Sequence, residues 1–333
     1  MLTWLGVRTR SWVAKAPPWT NAYGLARTIL ALGTLGTLLC SPASSLFRPA
    51  VGLPNWPICV DATRFGLFCL ASRAHLELAR WLAIAILALV ASGWRPRFTG
   101  VLHWWVSCSL ATSAILIDGG DQITAVLTLL LIPVTLTDAR RWHWSPSIQE
   151  SRSQRWEDFA RLIALTAFMA IRVQVSGVYF HSFVAKLKVP EWTDGTALYY
   201  WFTHPVFGAT PALSAVIKPL LDNAWTLTFM TWGALGLELV LFSALFMKDR
   251  YRVPLLVCGL CFHLGIALIH GLISFAFAMF AALLLYLWPQ TKPFALPRAG
   301  YSLLPRLLNF TKSWVQNSPP RTGQSSPPHP AQA

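Results

Sequence analysis

The sequence predicts an all-α protein, a polytopic integral membrane helix bundle of about eight transmembrane helices with N and C termini cytoplasmic. Three observations carry that prediction. Of 333 residues, 55% are hydrophobic and only 12% are charged, about half the charge of an average soluble domain. Apolar runs long enough to cross a hydrocarbon core of about 30 Å recur along the chain. Basic residues concentrate in alternate connections between those runs, as expected of loops that stay in the cytoplasm during insertion.

The runs are taken in order. They extend over Tyr23–Leu39, Leu78–Trp94, Phe98–Leu116, Ile123–Leu136, Phe159–Val184, Trp225–Met247, Val253–His270 and Ser274–Trp288. The fourth is short and the last two nearly touch, which brackets the count at six to eight. With both ends inside, the inner segments hold 18 basic residues, among them Arg8, Arg10, Lys15, Arg95, Arg97, Arg140, Arg141 and Arg152. The outer segments hold seven basic residues and seven acids. Most of the net charge of +14 therefore resides on the inner face. A basic, aromatic-rich chain also fits nucleic-acid binding, but topology accounts for the charge, and the expected partner is the lipid bilayer with no nucleic acid.

Three parts follow from this pattern. Residues 1–20 form a cytoplasmic N-terminal segment without the apolar core of a cleavable signal peptide, so the first span serves as the insertion signal. Residues 21–290 form the membrane domain. Residues 291–333 form a cytoplasmic tail, disordered from about residue 316, where Pro, Ser and Gln replace apolar residues. The outer stretch from Ser41 to Glu77 carries Pro42, Pro49, Pro54 and Pro57 and is expected to be an ordered cap or re-entrant turn. It also carries Cys59 and Cys69, which an oxidising compartment allows to pair. Cys258 and Cys261 lie one helical turn apart within a span and are expected to be small, lipid-compatible residues rather than a redox pair. No Cys or His spacing matches a zinc site, and no metal is expected.

Polar residues inside the spans are the sharper signal, because charge in hydrocarbon is costly and is kept for work. Arg172, Tyr179 and Lys186 are spaced seven apart, within about 20° of one helical face, and with Ser176 and Ser182 they mark a stripe from mid-membrane to the outer surface. Glu238 lies near the middle of the sixth span, seven after Thr231, and an Arg172–Glu238 ion pair would allow both charges to be buried. His263 and His270 share a face of the seventh span. A buried histidine usually serves as a helix-to-helix hydrogen-bonding group, but two beside a lysine-bearing stripe are also candidates for acid–base work. Asp118 and Asp121 lie in an outer D-G-G-D turn, which either closes on itself or binds a cationic peptide segment or a metal. The inner R-R-W-H-W, Arg140–Trp144, is expected to anchor at the interface.

The functional mouth is His181–Trp201, HSFVAKLKVPEWTDGTALYYW. Poor hydration at the membrane boundary favours a neutral amine, so Lys186 is the candidate general base. Its bland alternative is a snorkelling anchor, the role expected of Lys188. Pro190 ends the helix, Gly195 permits a turn, and Trp192, Tyr199, Tyr200 and Trp201 form an aromatic belt. Glu191 and Asp194 add two carboxylates that a plain anchor does not need.

The pattern F-x-A-K-L-(x)4-W-x-D-G over these residues resembles the signature of the vitamin K-dependent γ-carboxylase-like, or HTTM, membrane superfamily. The resemblance implies that Lys186 deprotonates a reduced quinone, and Phe262-His263 is similar to that superfamily's later F-H segment. The spacing from Lys-Leu to Trp is one residue longer here. Six further blocks, TNAYGLARTILALGT, VASGWRPRFTGVLHWWVS, DGGDQI, LIPVTLTDARRWHW, EWTDGTALYYW and IHGLISFAFAMF, resemble the bacterial sporulation-delaying protein B family over about Trp19–Trp288. That resemblance implies a role in the bacterial plasma membrane, turning a secreted toxin-peptide precursor into an active antimicrobial peptide alongside a small partner protein.

Two function classes stand at this point. In the first, the protein is an enzyme acting at the outer face, with Lys186 as base, His181, His263 and His270 as acids or orienters, and Glu238 setting the field. Arg172, Tyr179, Asp118, Asp121, Glu191, Trp192 and Asp194 would then hold substrate. In the second, it is a noncatalytic scaffold or export partner for the precursor. The large luminal domain of the carboxylase is absent, so glutamate carboxylation is not assumed.

Overall fold

The computed structural model describes residues 18–52, 55–146, 154–290 and 292–294. The basic N-terminal stretch through residue 17, Arg152, and the tail expected to be disordered lie outside the described residues.

The described chain is helical, with eight main helices: α1 (Asn21–Cys40), α2 (Leu76–Ser92), α3 (Pro96–Ser113), α4 (Gly119–Thr137), α5 (Gln154–Lys186), α6 (Ala224–Ser243), α7 (Asp249–His270) and α8 (Ile273–Leu287). Six apolar helical segments are long enough to cross a membrane, and α3 and α8 complete the bundle. The expected count of six to eight spans is met. α8 falls short in length, at 15 residues, yet it is the central rod. Its residues from Ala281 to Leu287 are nearly all buried, and it packs against α1, α4, α5 and α7. A helix apolar all round suits either a protein core or lipid, and here neighbouring helices cover it. Small residues let those neighbours approach: Gly33 of α1 faces Phe277, and Gly259 of α7 faces Leu283.

Successive helices run antiparallel, so the bundle has two ends. The 41–75, 114–118, 187–223 and 271–272 connections share the end at which α5 finishes on Lys186. The 93–95, 138–146 and 244–248 segments share the opposite end. At the Lys186 end, residues 41–52 and 55–75 form an ordered cap. Short helices at Ala43–Leu46 and Leu67–Leu70 bury Leu46, Phe47 and Phe68, and the Phe47 and Phe68 rings lie 4.7 Å apart. A Cys59–Cys69 disulfide with Cα atoms 5.7 Å apart closes its tip. At the opposite end, Arg95 N donates to Arg141 O at 2.7 Å and His143 N to Gly93 O at 3.0 Å, which ties two connections together. Cys258 and Cys261 are exposed and unbridged on the outside of α7.

Candidate functional site

The site forms where α5, α6 and α7 meet near the Lys186 end. On α5 the seven-residue spacing puts Tyr179 and Lys186 on the inward face, and Ser182 falls between them. Lys186 Nζ donates to Glu238 Oε1 of α6 at 2.7 Å and to Ser182 Oγ at 2.6 Å. Ser182 Oγ in turn donates to Glu238 Oε1 at 3.0 Å, closing a triangle. The Glu238 side chain is 6% exposed and that of Lys186 is 23% exposed, so the carboxylate is sunk in the bundle and the amine sits at its rim. The ring centroid of Trp192, from the turn after α5, lies 5.2 Å from Lys186 Nζ, within cation–π range.

Tyr179 Oη and His263 Nε2 are 2.9 Å apart, joining α5 to α7 one helical step deeper. His263 also packs edge-on against Phe275 of α8. Three buried polar atoms near this junction have no hydrogen-bond partner: Glu238 Oε2, His263 Nδ1 and Thr231 Oγ1. Buried polar atoms are ordinarily satisfied, and these three find no partner among the described residues.

The turn beyond Lys186 is built as its residues require. Pro190 opens the short helix Pro190–Thr193, where its missing N–H is no loss. Gly195 adopts φ +86°, and a Cβ there would lie 2.7 Å from Thr228 Cγ2 of α6, so only glycine permits this approach. Asp194 Oδ1 accepts from Thr196 N and Oγ1 at 3.0 and 2.6 Å. Glu191 is exposed, while Trp192 is buried with Ala197 and Leu235.

Other expected residues lie elsewhere. His181 is exposed, two residues past Tyr179 and so roughly 200° around the helix from it. His270 Nδ1 is 2.7 Å from Phe207 O, under the 197–210 segment with Trp201 and Phe202, and makes no contact with Lys186. Asp118 caps α4, accepting from Gly120 N and Asp121 N at 2.7 and 3.1 Å, and receives Ser274 Oγ of α8 at 2.7 Å. Asp121 Oδ2 accepts from Asp118 N at 3.2 Å, completing a capping box.

The expected Arg172–Glu238 ion pair does not form. Glu238 is paired with Lys186 instead. Among the described residues Arg172 Nη2 reaches only the Trp288 carbonyl at 3.5 Å, at the opposite end of α8. Arg172 precedes Lys186 by fourteen residues, roughly 21 Å along a helix, so the stripe runs to the opposite end rather than from mid-membrane.

A second buried polar cluster, at the opposite end, was not anticipated. Asp138 pairs with Arg140 at 2.8 Å and accepts from Tyr23 Oη at 2.9 Å. Arg27, 1% exposed, donates to Thr99 Oγ1 at 2.6 Å and approaches His143 Nδ1 at 3.5 Å. His143 Nε2 is 3.3 Å from Thr28 Oγ1. Burial, then the charges of Arg27 and Arg140, push the His143 imidazolium down to about 3. In R-R-W-H-W, Arg140 and His143 therefore belong to the core, and Arg141, Trp142 and Trp144 are exposed as an anchor requires. The available signal was Tyr23 and Arg27, four apart on one face of the first span.

With the geometry in place, comparison with known proteins supplies the lineage. A family model described as HTTM domain matches residues 125–290, which contain α5 to α8 and every residue of the Lys186 site. The chain is 44% identical over 274 residues to uncharacterized protein YitO of Bacillus subtilis, covering 82% of this chain and 86% of that one. It is 38% identical over 275 residues to sporulation-delaying protein SdpB of the same organism, covering 82% of each. No solved structure matches. Identity at that level across four-fifths of both chains, with the HTTM match over the Lys186 site, shows that this multi-pass membrane protein belongs to the sporulation-delaying protein SdpB family.

Proposed function

We propose that the protein acts in the maturation of a secreted toxin peptide at the outer face of the bacterial plasma membrane, through proton transfer at Lys186. The observation that carries this reading is the Lys186–Glu238 pair at 2.7 Å, held at the rim of the bundle in a relative of a sporulation-delaying protein. The Cys59–Cys69 disulfide in the cap at the same end supports an oxidising compartment there. The basic connections at the other end support a cytoplasmic face for it.

In a poorly hydrated pocket, an ammonium–carboxylate pair and an amine–carboxylic acid pair differ by one proton moved along a single hydrogen bond. The proton passes from Lys186 Nζ to Glu238 Oε1, and the freed amine accepts a proton from a substrate acid at the rim. Lys186 is then an ammonium beside a neutral Glu238. Ser182, bonded to both, holds the two in register. The superfamily resemblance adds a reduced quinone, which would supply an acidic hydroxyl when bound, and the unpartnered Glu238 Oε2 fits such a group.

The alternative is a noncatalytic scaffold that holds the precursor, in which the Lys186–Ser182–Glu238 triangle serves as a structural tie between α5 and α6. Lys186→Arg decides between them, since arginine keeps the ion pair but does not give up its proton. Mass spectrometry of the secreted peptide is the measurement. Loss of the mature species, with the variant inserted at normal levels, is the expected result. Unchanged maturation would leave the scaffold.

A further inference from the structure

The far end of the site helix carries a cationic group that the Lys186 chemistry does not use. Arg252, in the first turn of α7, is buried and uses its donors locally. Its Nε and Nη2 donate to the Ala244 and Leu245 carbonyls at 3.2 and 3.1 Å, and Nη1 reaches Asp249 at 3.3 Å. These carbonyls lie in the 3-10 turn that follows α6, where a guanidinium offsets the negative end of the helix dipole. Arg172 lies within electrostatic range of Arg252 and Asp249 but is not used in the same way. Its Nη2 makes a long 3.5 Å contact to Trp288 O, and its Nε is buried without a partner among the described residues. The α6–α7 turn adds exposed Lys248 and Arg250. Against these four basic groups stands Asp249, whose side chain is 66% exposed.

The other unpartnered donors point the same way. Arg97 Nε, Arg161 Nε and Gln290 Nε2 are buried without partners among the described residues, and all three belong to this end of the bundle, where Arg161 Nη2 is itself paired with Glu157 at 2.6 Å. Around Arg172 itself four basic groups face one largely exposed carboxylate, Asp249, a balance that suits an anion. The flanks of the group are apolar and outward-facing: Met169 and Val173 on α5, with Phe246 and Tyr251 beside the turn, are all exposed. Free phosphate would use the donors and leave those flanks unexplained, whereas a phospholipid uses both.

We propose that Arg172, with Arg252 and the basic α6–α7 turn, binds the phosphate of an anionic phospholipid whose acyl chains lie along the exposed flanks of α5 and α7. Juxtamembrane basic groups attract anionic headgroups, and a guanidinium grips phosphate with two parallel donors. The proposal is independent of the reaction at Lys186.

The test uses the full chain purified in a neutral detergent, with phosphatidylglycerol, phosphatidylcholine or inorganic phosphate added. Bound lipid is read by native mass spectrometry and stability by thermal unfolding. Phosphatidylglycerol should bind and raise Tm, and Arg172→Gln should bind it roughly tenfold more weakly, while Arg155→Gln, at an exposed basic position on the same helix, should bind as the parent does. Should Arg172→Gln fail to fold, Arg172→Lys serves, retaining charge but losing the bidentate grip and most of the affinity. Equal binding of phosphatidylcholine, full stabilisation by inorganic phosphate alone, or unaltered binding by both Arg172 variants would overturn the assignment.

Discussion

Removing one member of the Lys186–Glu238 pair should destabilise the bundle unequally, depending on which member goes. Loss of one partner from a buried ion pair costs about 3–5 kcal/mol, mostly from the charge left behind. Glu238 is 6% exposed and Lys186 23% exposed, so the stranded carboxylate is worse off than the stranded amine, which has a long stem and can reach water. Lys186→Met should therefore cost about 3 kcal/mol, at the low end of that range because the site lies at the rim. Glu238→Gln should cost about half as much, since the amide still accepts from Lys186 and Ser182. Removing both leaves no stranded charge, so the double variant should be less destabilised than the sum of the singles by about 2 kcal/mol. The assay is SDS titration of the purified protein in mixed micelles, followed by tryptophan fluorescence. A coupling below about 0.5 kcal/mol, the ordinary scatter of independent sites, would show that the pair does not form. A costlier Glu238→Gln than Lys186→Met would refute the argument from burial.

Other outcomes follow from single contacts. His143 is held at about 3 against an ordinary 6.5, so between those values the unfolded chain binds the proton and the folded chain does not. Stability contributed by this site is then complete above about pH 6.5 and declines on acidification by up to about 1.4 kcal/mol per pH unit. His143→Gln should flatten the fall in Tm measured between pH 7 and pH 4.5. Gly195→Ala adds a Cβ 2.7 Å from Thr228 at φ +86° and should cost about 1–3 kcal/mol, seen as a lower Tm and a displaced Trp192 fluorescence signal. Asp118→Ala removes the cap of α4 and its link to Ser274 and should cost about 1–2 kcal/mol in the same unfolding assay, whereas Asp118→Asn should cost less.

The membrane class and the eight helical segments were legible in the chain because hydrocarbon imposes a local rule: a backbone that crosses it must satisfy its own hydrogen bonds within an apolar segment. The inward face of α5 was legible for a related reason, since Tyr179, Ser182 and Lys186 are polar where lipid would reject them. The capping geometry of Asp118 and the turn at Gly195 were visible as short-range chemistry. Partner choice was not. Whether Glu238 faces Arg172 or Lys186 depends on how far α6 is raised against α5, and no residue of either helix encodes that alone.

The same limit hid the cluster of Tyr23, Arg27, Thr99, Asp138, Arg140 and His143, whose members come from α1, α3 and the connection after α4. A basic run beside tryptophans reads as an interfacial anchor until the tertiary structure folds Arg140 and His143 beneath α1. The chain by itself determined which segments enter the membrane, because lipid acts on each segment separately. The tertiary structure decided which polar groups meet, because protein and lipid are almost equally apolar surroundings for a helix, and only packing and hydrogen bonding between helices distinguish one neighbour from another.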